Sequence, residues 1–294
     1  GNSGIPYVWR FDSDKPGRHA MISAVVHGIE PCGAIALDTL LREAVRPVAG
    51  RLTLAFLNVE AYAAFDPDDP NATRWLEEDM NRVWEPSVLD GARQSVELAR
   101  ARAVRPALED VDLLLDLHSM QHLAPPLALG GRHAKGAALA GAVGVPPLLV
   151  QDAGHAAGRR MRDYGGFDDP ASAKAALLIE CGQHWEAGAA LLAEEAARRF
   201  LVAAGVADPA MIEAYPRPAA QERWRVAEAV TIQAERFAFK EPYLGGEVIA
   251  KAGTVIGWDG AAEVRTPADD MMLVMPSKRL WAGQTAVRLA LREV

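Results

Sequence analysis

Short, unbroken apolar runs set between stretches of helical periodicity constrain this chain most. Residues 21–26 (MISAVV), 52–57, 111–117 (VDLLLDL) and 175–179 each predict a strand that is apolar on both faces. Such strands need cover on both sides, which a mixed, largely parallel sheet flanked by helices provides. Between them, residues 34–45 place Leu37, Leu40, Leu41 and Ala44 on one helical face, and Pro47 and Gly50 end that element. Further helices are expected over 95–108 and over 191–204, the latter closed by Gly205. From about Pro216 the texture changes to short alternating or β-rich segments between glycine turns, over 226–239 and 246–289. The expectation is an α/β catalytic domain over 1–215 and a smaller β-rich domain near its cleft over 216–294. The stretch 207–218, with its three prolines, marks the boundary.

Composition excludes several classes of function. Half the residues are hydrophobic, yet no run of 18 apolar residues occurs, so no membrane span is expected. The opening GNSGIPYVWRF lacks a basic region followed by an apolar stretch and does not read as a secretory signal. Two cysteines, Cys32 and Cys181, are too few for a disulfide scaffold and fit a reducing compartment, so a cytoplasmic location is expected. A net charge of −8 with no basic block argues against nucleic acid as a partner. Oligomeric state stays open, a homo-oligomer included.

A metal constellation follows from three residues at strand ends. His27 and Glu30 sit at the mouth of the MISAVV strand, where Gly28 is expected to let the backbone turn and Pro31 to keep it from continuing as helix. His118 closes the run LLLDLH. An imidazole pair and a carboxylate leave a fourth coordination position, the pattern of a catalytic zinc site. Taken singly the motifs are weak, because a strand-end histidine is more often an ordinary surface or core residue. Asp116 lies two residues before His118 and so shares its face of the strand. It either accepts a hydrogen bond from a ligand imidazole or caps nearby backbone. Glu180 ends the apolar run ALLIE, where desolvation raises a carboxyl pKa toward that of a general base, unless an arginine pairs with it. Cys181 and Cys32 read as small buried hydrophobes.

Four ordered motifs, HGIEPCGAIAL, TRWLEEDMNRVW, LLLDLHSM and LLIECGQHW, resemble the succinylglutamate desuccinylase/aspartoacylase family, within the wider zinc carboxypeptidase-like group. The resemblance runs from about residue 20 to 187, and the β-rich tail also looks like the family's second domain. It implies one zinc ion (Zn2+) per chain on His27, Glu30 and His118, and an acid/base role for Glu180. Asn81 and Arg82 match the family's pair that binds a substrate carboxylate, and Arg74 matches the arginine that steadies an oxyanion. Without the resemblance, Arg74 reads as a surface helix charge and Arg82 as the salt-bridge partner of Asp79.

Two departures concern the substrate. The common HGNE appears as HGIE, so Ile29 removes a polar group beside the metal ligands. Aspartoacylase reads its acidic acyl group with an arginine and a tyrosine shortly before the catalytic glutamate, and Pro170 and Gly166 stand at those spacings here. Tyr164, Arg159, Arg160 and Arg162 are the available substitutes, although a solvated basic loop is the favoured reading. The implied activity is zinc-dependent hydrolysis of the amide bond of small N-acyl amino acids, with the acyl group and the amino acid unnamed. A zinc carboxypeptidase acting on peptides and a catalytically silent zinc- or ligand-binding homologue stay open as alternatives.

Overall fold

The computed structural model describes residues 1–154 and 156–293. Its strands are β1 Val8–Asp12, β2 His19–Ala24, β3 Arg51–Phe56, β4 Leu113–Met120, β5 Leu127–Leu129, β6 Leu148–Gln151, β7 Ala175–Gln183, β8 Glu222–Thr231, β9 Phe237–Phe239, β10 Val248–Ile249, β11 Val255–Asp259, β12 Ala262–Arg265, β13 Met271–Val274 and β14 Thr285–Arg292. An 11-stranded sheet takes the order β1-β3-β2-β4-β7-β5-β6-β8-β14-β13-β10, and β12-β11-β9 form a separate 3-stranded sheet. The ladders β3-β2-β4-β7 are parallel, whereas the C-terminal pairings of β8, β14, β13 and β10 are antiparallel. This is the mixed α/β architecture that the apolar runs imply.

Alternation along the central strands sets the two layers of the core. Ile22, Leu115 and Leu177 face the helices Pro31–Arg42 and Ala187–Ala203, packing with Leu37, Leu40 and Phe200. Their neighbours Met21, Leu114 and Ala176 face the other way, against Leu98 and Val104 of the helix Val96–Leu108. Ser95 caps that helix, its hydroxyl accepting from the Leu98 amide at 3.0 Å. Every residue of β2 and β4 is buried, as strands covered on both faces must be.

Some elements escape the sequence pattern. The strand β5 is only three residues long, and the helix Ala134–Val143 (AKGAALAGAV) is built of small residues with little polar contrast between its faces. Pro31 is also used differently from expectation: it opens the helix Pro31–Arg42 at its first turn, where a missing N–H costs nothing, and Glu30 takes the cap position.

The C-terminal strands join the main sheet through β8, which pairs in parallel with β6 from Leu148↔Glu222 to Gln151↔Arg225. An apolar seam reinforces that ladder: Met120, Leu127, Leu129, Val150 and Leu178 pack with Trp224, Met272, Val274 and Ala290. Trp224 is the largest side chain there and is 5% exposed. Trp224→Ala should therefore lower the unfolding free energy by about 3–5 kcal/mol, read from urea titration.

Candidate active site

His27 and Glu30 lie in the connection between β2 and the helix Pro31–Arg42, at the carboxyl end of the sheet, where clefts form in open α/β folds. The backbone bends first at Val25 (φ 61) and then turns at Gly28 and Ile29 as expected, with the Glu30 amide donating to the His27 carbonyl at 3.2 Å and with no positive φ at Gly28. Gly28 is needed for contact as well. A Cβ there would lie 2.4 Å from the Thr73 carbonyl oxygen and 2.5 Å from the Ala61 backbone. Its amide donates to the Arg74 carbonyl at 2.9 Å, which draws the loop carrying Arg74 over the histidine.

The Glu30 carboxylate is the meeting point. His27 Nδ1 lies 2.8 Å from Oε1 and His118 Nδ1 lies 2.9 Å from Oε2. Arg74 donates to Oε1 at 2.7 Å, and the Ser119 amide to Oε2 at 3.3 Å. Burial opposes ionisation of Glu30, but His27, Arg74 and His118 outweigh it and hold its pKa well below the usual carboxylate range. The far ring nitrogens are held as well. His27 Nε2 lies 3.0 Å from Asp79 Oδ1, and His118 Nε2 lies 2.9 Å from Asp116 Oδ2. Asp116 thus orients a ring instead of capping backbone, and the Ser23 hydroxyl donates to its other oxygen at 2.7 Å. With Nε2 of each histidine so occupied, both Nδ1 atoms turn inward. One ligand atom from each of His27, Glu30 and His118 falls within 4.8 Å of the others, so the three could hold a metal ion.

Strand register delivers Glu180. In the parallel ladder β4–β7, His118 is paired with Glu180, so the two side chains share a face of the sheet. Glu180 is 6% exposed, and its Oε2 has no hydrogen-bond partner among the described residues. Burial pushes its carboxyl up to about 8, against the pull of the His118 charge. No arginine lies within ion-pair distance of it among the described residues. Cys181 points to the opposite face, into the helix-covered core, and both cysteines are free and buried.

The loop from Arg74 to Arg82 is organised by a residue that no motif singled out. Glu97, fully buried in the helix Val96–Leu108, accepts from the amides of Leu76 at 2.7 Å and of Glu77 and Glu78 at 3.2 Å. Arg74 is therefore not a surface helix charge: it sits on this loop with its side chain 16% exposed. Asp79 begins the short turn Met80–Arg82 by accepting from the Asn81 amide at 2.9 Å. Asn81 Oδ1 accepts from the Met161 amide at 3.0 Å, which leaves the Asn81 amide nitrogen as the group it can offer. Arg82 makes no direct ion pair with Asp79 among the described residues, although the two charges attract each other. It donates to the Asn81 carbonyl at 2.6 Å and lines the same cleft as Glu180 and His118.

A protein-family comparison matches residues 16–203 to the succinylglutamate desuccinylase/aspartoacylase catalytic domain. The chain belongs to this family. Solved structures agree on the fold. A succinylglutamate desuccinylase from Vibrio cholerae superposes with a TM-score of 0.77 at 18% identity, over 97% of this chain and 85% of that one. A succinylglutamate desuccinylase/aspartoacylase from Rhodobacter sphaeroides gives 0.68 at 18% identity, over 98% and 89%. A product-bound ectoine utilization protein from Ruegeria pomeroyi gives 0.63 at 19%, over 95% and 87%. No curated protein matches by sequence. The family is a group of deacylases, and no helix among the described residues is long and apolar enough to cross a membrane.

Against the desuccinylase/aspartoacylase pattern, the arginine-rich loop corrects the reading of a solvated basic segment. Arg160 and Arg162 are each 2% exposed. Arg160 donates to both oxygens of Asp152 at 2.8 and 2.7 Å and to Asp163 at 2.6 Å, while Arg162 pairs with Asp163. The charges are buried because each finds an acceptor, in pairings within one folded-back loop between residues no more than eight apart in sequence. Arg160 reaches the cleft wall. Tyr164 does not: it packs on Trp84, and Arg105 Nε donates to its hydroxyl at 2.8 Å. Arg159 pairs with Glu85 at 2.7 Å. Burial raises the Asp152 pKa, but the Arg160 charge and hydrogen bonds outweigh it and bring the value down to about 2. A depressed carboxylate stabilises the fold above its unfolded pKa of about 4 and loses that contribution as pH falls towards the folded value. Asp152→Asn, which leaves Arg160 without its main counter-charge, should cost about 3–5 kcal/mol of stability at neutral pH, measured by chemical denaturation.

Proposed function

We propose that the chain is a zinc-dependent hydrolase that cleaves the amide bond of small N-acyl amino acids. The observation that carries this is the juxtaposition of an unpaired, protonatable Glu180 with the convergent His27–Glu30–His118 set across adjacent strands. Two imidazoles and a carboxylate suit zinc by donor chemistry, and the buried carboxylates behind both rings fix which nitrogens are presented. A bound zinc would polarise the scissile carbonyl and lower the pKa of a water molecule.

The remaining work falls to the chain's own side chains. Asn81 and Arg82 hold the amino-acid carboxylate, Arg82 by the planar fork that suits it. Arg74 stands beside Glu30 as a fixed cation and stabilises the negative charge that develops on the carbonyl oxygen. Glu180 accepts a proton from the attacking water and returns it to the departing amine. A bound cation would also draw the Glu180 pKa below about 8, toward the range in which it is a base at neutral pH. We assign residues 1–215 as the catalytic unit and 216–294 as the unit that completes the cleft. The segment that carries Met275, Pro276 and Arg279 forms one wall, which favours a small substrate over an extended peptide.

Metal analysis tests the ligand set. Purified protein should carry one zinc per chain, and His27→Ala or His118→Ala should lose it, because two remaining donors make a poor site. Full zinc content in both variants would refute the assignment. Turnover tests the base: Glu180→Gln should keep its zinc while kcat on N-acetyl and N-succinyl amino acids falls about a hundredfold or more. A fully active variant would make Glu180 structural.

A further inference from the structure

Arg279 lies in the segment between β13 and β14, the part of the C-terminal β region that forms a wall of the cleft. Several contacts fix that segment. The Ser277 amide donates to the Ala286 carbonyl at 2.7 Å, the Arg279 amide to the Ser277 hydroxyl at 3.0 Å, and Lys278 Nζ to the Gln121 carbonyl at 3.2 Å. The Arg279 guanidinium is stacked 4.7 Å from the centroid of the Trp75 ring, across from the loop that carries Arg74. Ile29, where the family's common motif has asparagine, lines the neighbouring hollow with Trp75 and Arg279.

What distinguishes Arg279 is its missing acceptors. Both Nε and Nη1 are buried without a hydrogen-bond partner among the described residues, and no carboxylate lies within 4.0 Å of it there. Arg74 is engaged by Glu30, and Arg160 by Asp152 and Asp163. Arg82 and Arg279 therefore remain as two guanidiniums in one cleft with no carboxylate within ion-pair distance among the described residues, Asp79 attracting both only from farther away. A cation partly withdrawn from water without a close counter-charge is unfavourable, and stacking on an indole offsets only part of that. An anion delivered with the ligand would complete it. Burial and the nearby Arg74 charge bring the Arg279 pKa down to about 10, so it still carries its charge at neutral pH.

We propose that Arg279 is a specificity-determining residue that seats a second carboxylate of the substrate, apart from the amino-acid carboxylate held by Asn81 and Arg82. This rests on the N-acyl amino acid reading of the site. It restricts that reading to substrates with two carboxylates, the second carried by the acyl group or by the amino-acid side chain. Arg279 thus supplies, from the C-terminal β region, an anion-reading group that Pro170 and Gly166 cannot supply before Glu180.

The test compares zinc-loaded wild type with Arg279→Gln and Arg279→Lys on matched pairs that differ only in charge. N-succinyl-alanine against N-succinamoyl-alanine probes the acyl side, and N-acetyl-glutamate against N-acetyl-glutamine probes the side chain. Wild type should prefer the charged member of one pair by about tenfold or more in kcat/KM, Arg279→Gln should erase most of that preference, and Arg279→Lys should keep part of it. The pair that responds identifies which end of the substrate carries the second carboxylate. No preference in wild type, or an undiminished one in Arg279→Gln, overturns the proposal. Thermal melting supplies a readout without turnover: glutarate should raise the Tm of wild type more than butyrate does, and the two acids should act alike on Arg279→Gln. If wild type hydrolyses none of the four compounds, the deacylase reading fails and melting alone decides the subsite. Equal stabilisation of both proteins by glutarate then overturns it, and a response that requires Arg279 sustains it.

Discussion

One carboxylate, that of Glu30, ties the site together. It accepts from or faces His27, His118, Arg74 and the Ser119 amide, groups that come from the connection after β2, the loop before residue 82 and the strand β4. A buried anion is tolerable only when it is surrounded in this way. Much of the surrounding structure can be understood as holding those donors in place. Gly28 lets the Arg74 loop approach, Glu97 fixes that loop from below, and Asp116 and Asp79 hold the two imidazoles from behind. Removing the Glu30 carboxylate would leave four cationic or dipolar groups facing one another.

The sequence carried the sheet through local signals, and it named the three residues that the fold brings into one cluster, the latter chiefly through the order of four motifs. Apolar runs such as LLLDL must be covered on two sides, and a histidine or glutamate at the end of such a run must face the cleft mouth or the core. The role of Glu97 was not legible, since an acidic residue in the first turn of a helix has an ordinary explanation in the helix dipole. Its real partners are amides some twenty residues earlier. Arg160 and Arg162 looked solvated for a different reason: Asp152 and Asp163 lie close by in sequence, but nothing in their spacing shows that the loop folds back to bury them. Gly28 and Pro31 were correctly marked as special positions, but the close approach to Thr73 and Ala61 at Gly28 and the helix start at Pro31 were not foreseen. Spacing shows that a residue is unusual, not what approaches it.

Charge is distributed unevenly at two scales. The chain carries a net −8, yet its cleft gathers Arg74, Arg82, Arg160, Arg279 and Arg288 around few acids. A net negative charge of this kind favours solubility in general, and the cationic cleft attracts small anions at short range, where solvent screens least. Much of this positive charge comes from residues far apart in the chain, so no basic block announces it.

The ladder between β6 and β8 also bears on how such a cleft measures its ligand. The turn carrying Arg82 is pinned by the Asn81–Met161 hydrogen bond, while Arg279 belongs to a β region hydrogen-bonded into the sheet that presents His118 and Glu180. Both guanidiniums are thus tied by hydrogen bonds to the same frame. On the proposed reading the protein acts as a fixed gauge: it registers the span between two negative charges as well as their number. A ligand with the right groups but one methylene too few would leave one of the arginines unfilled.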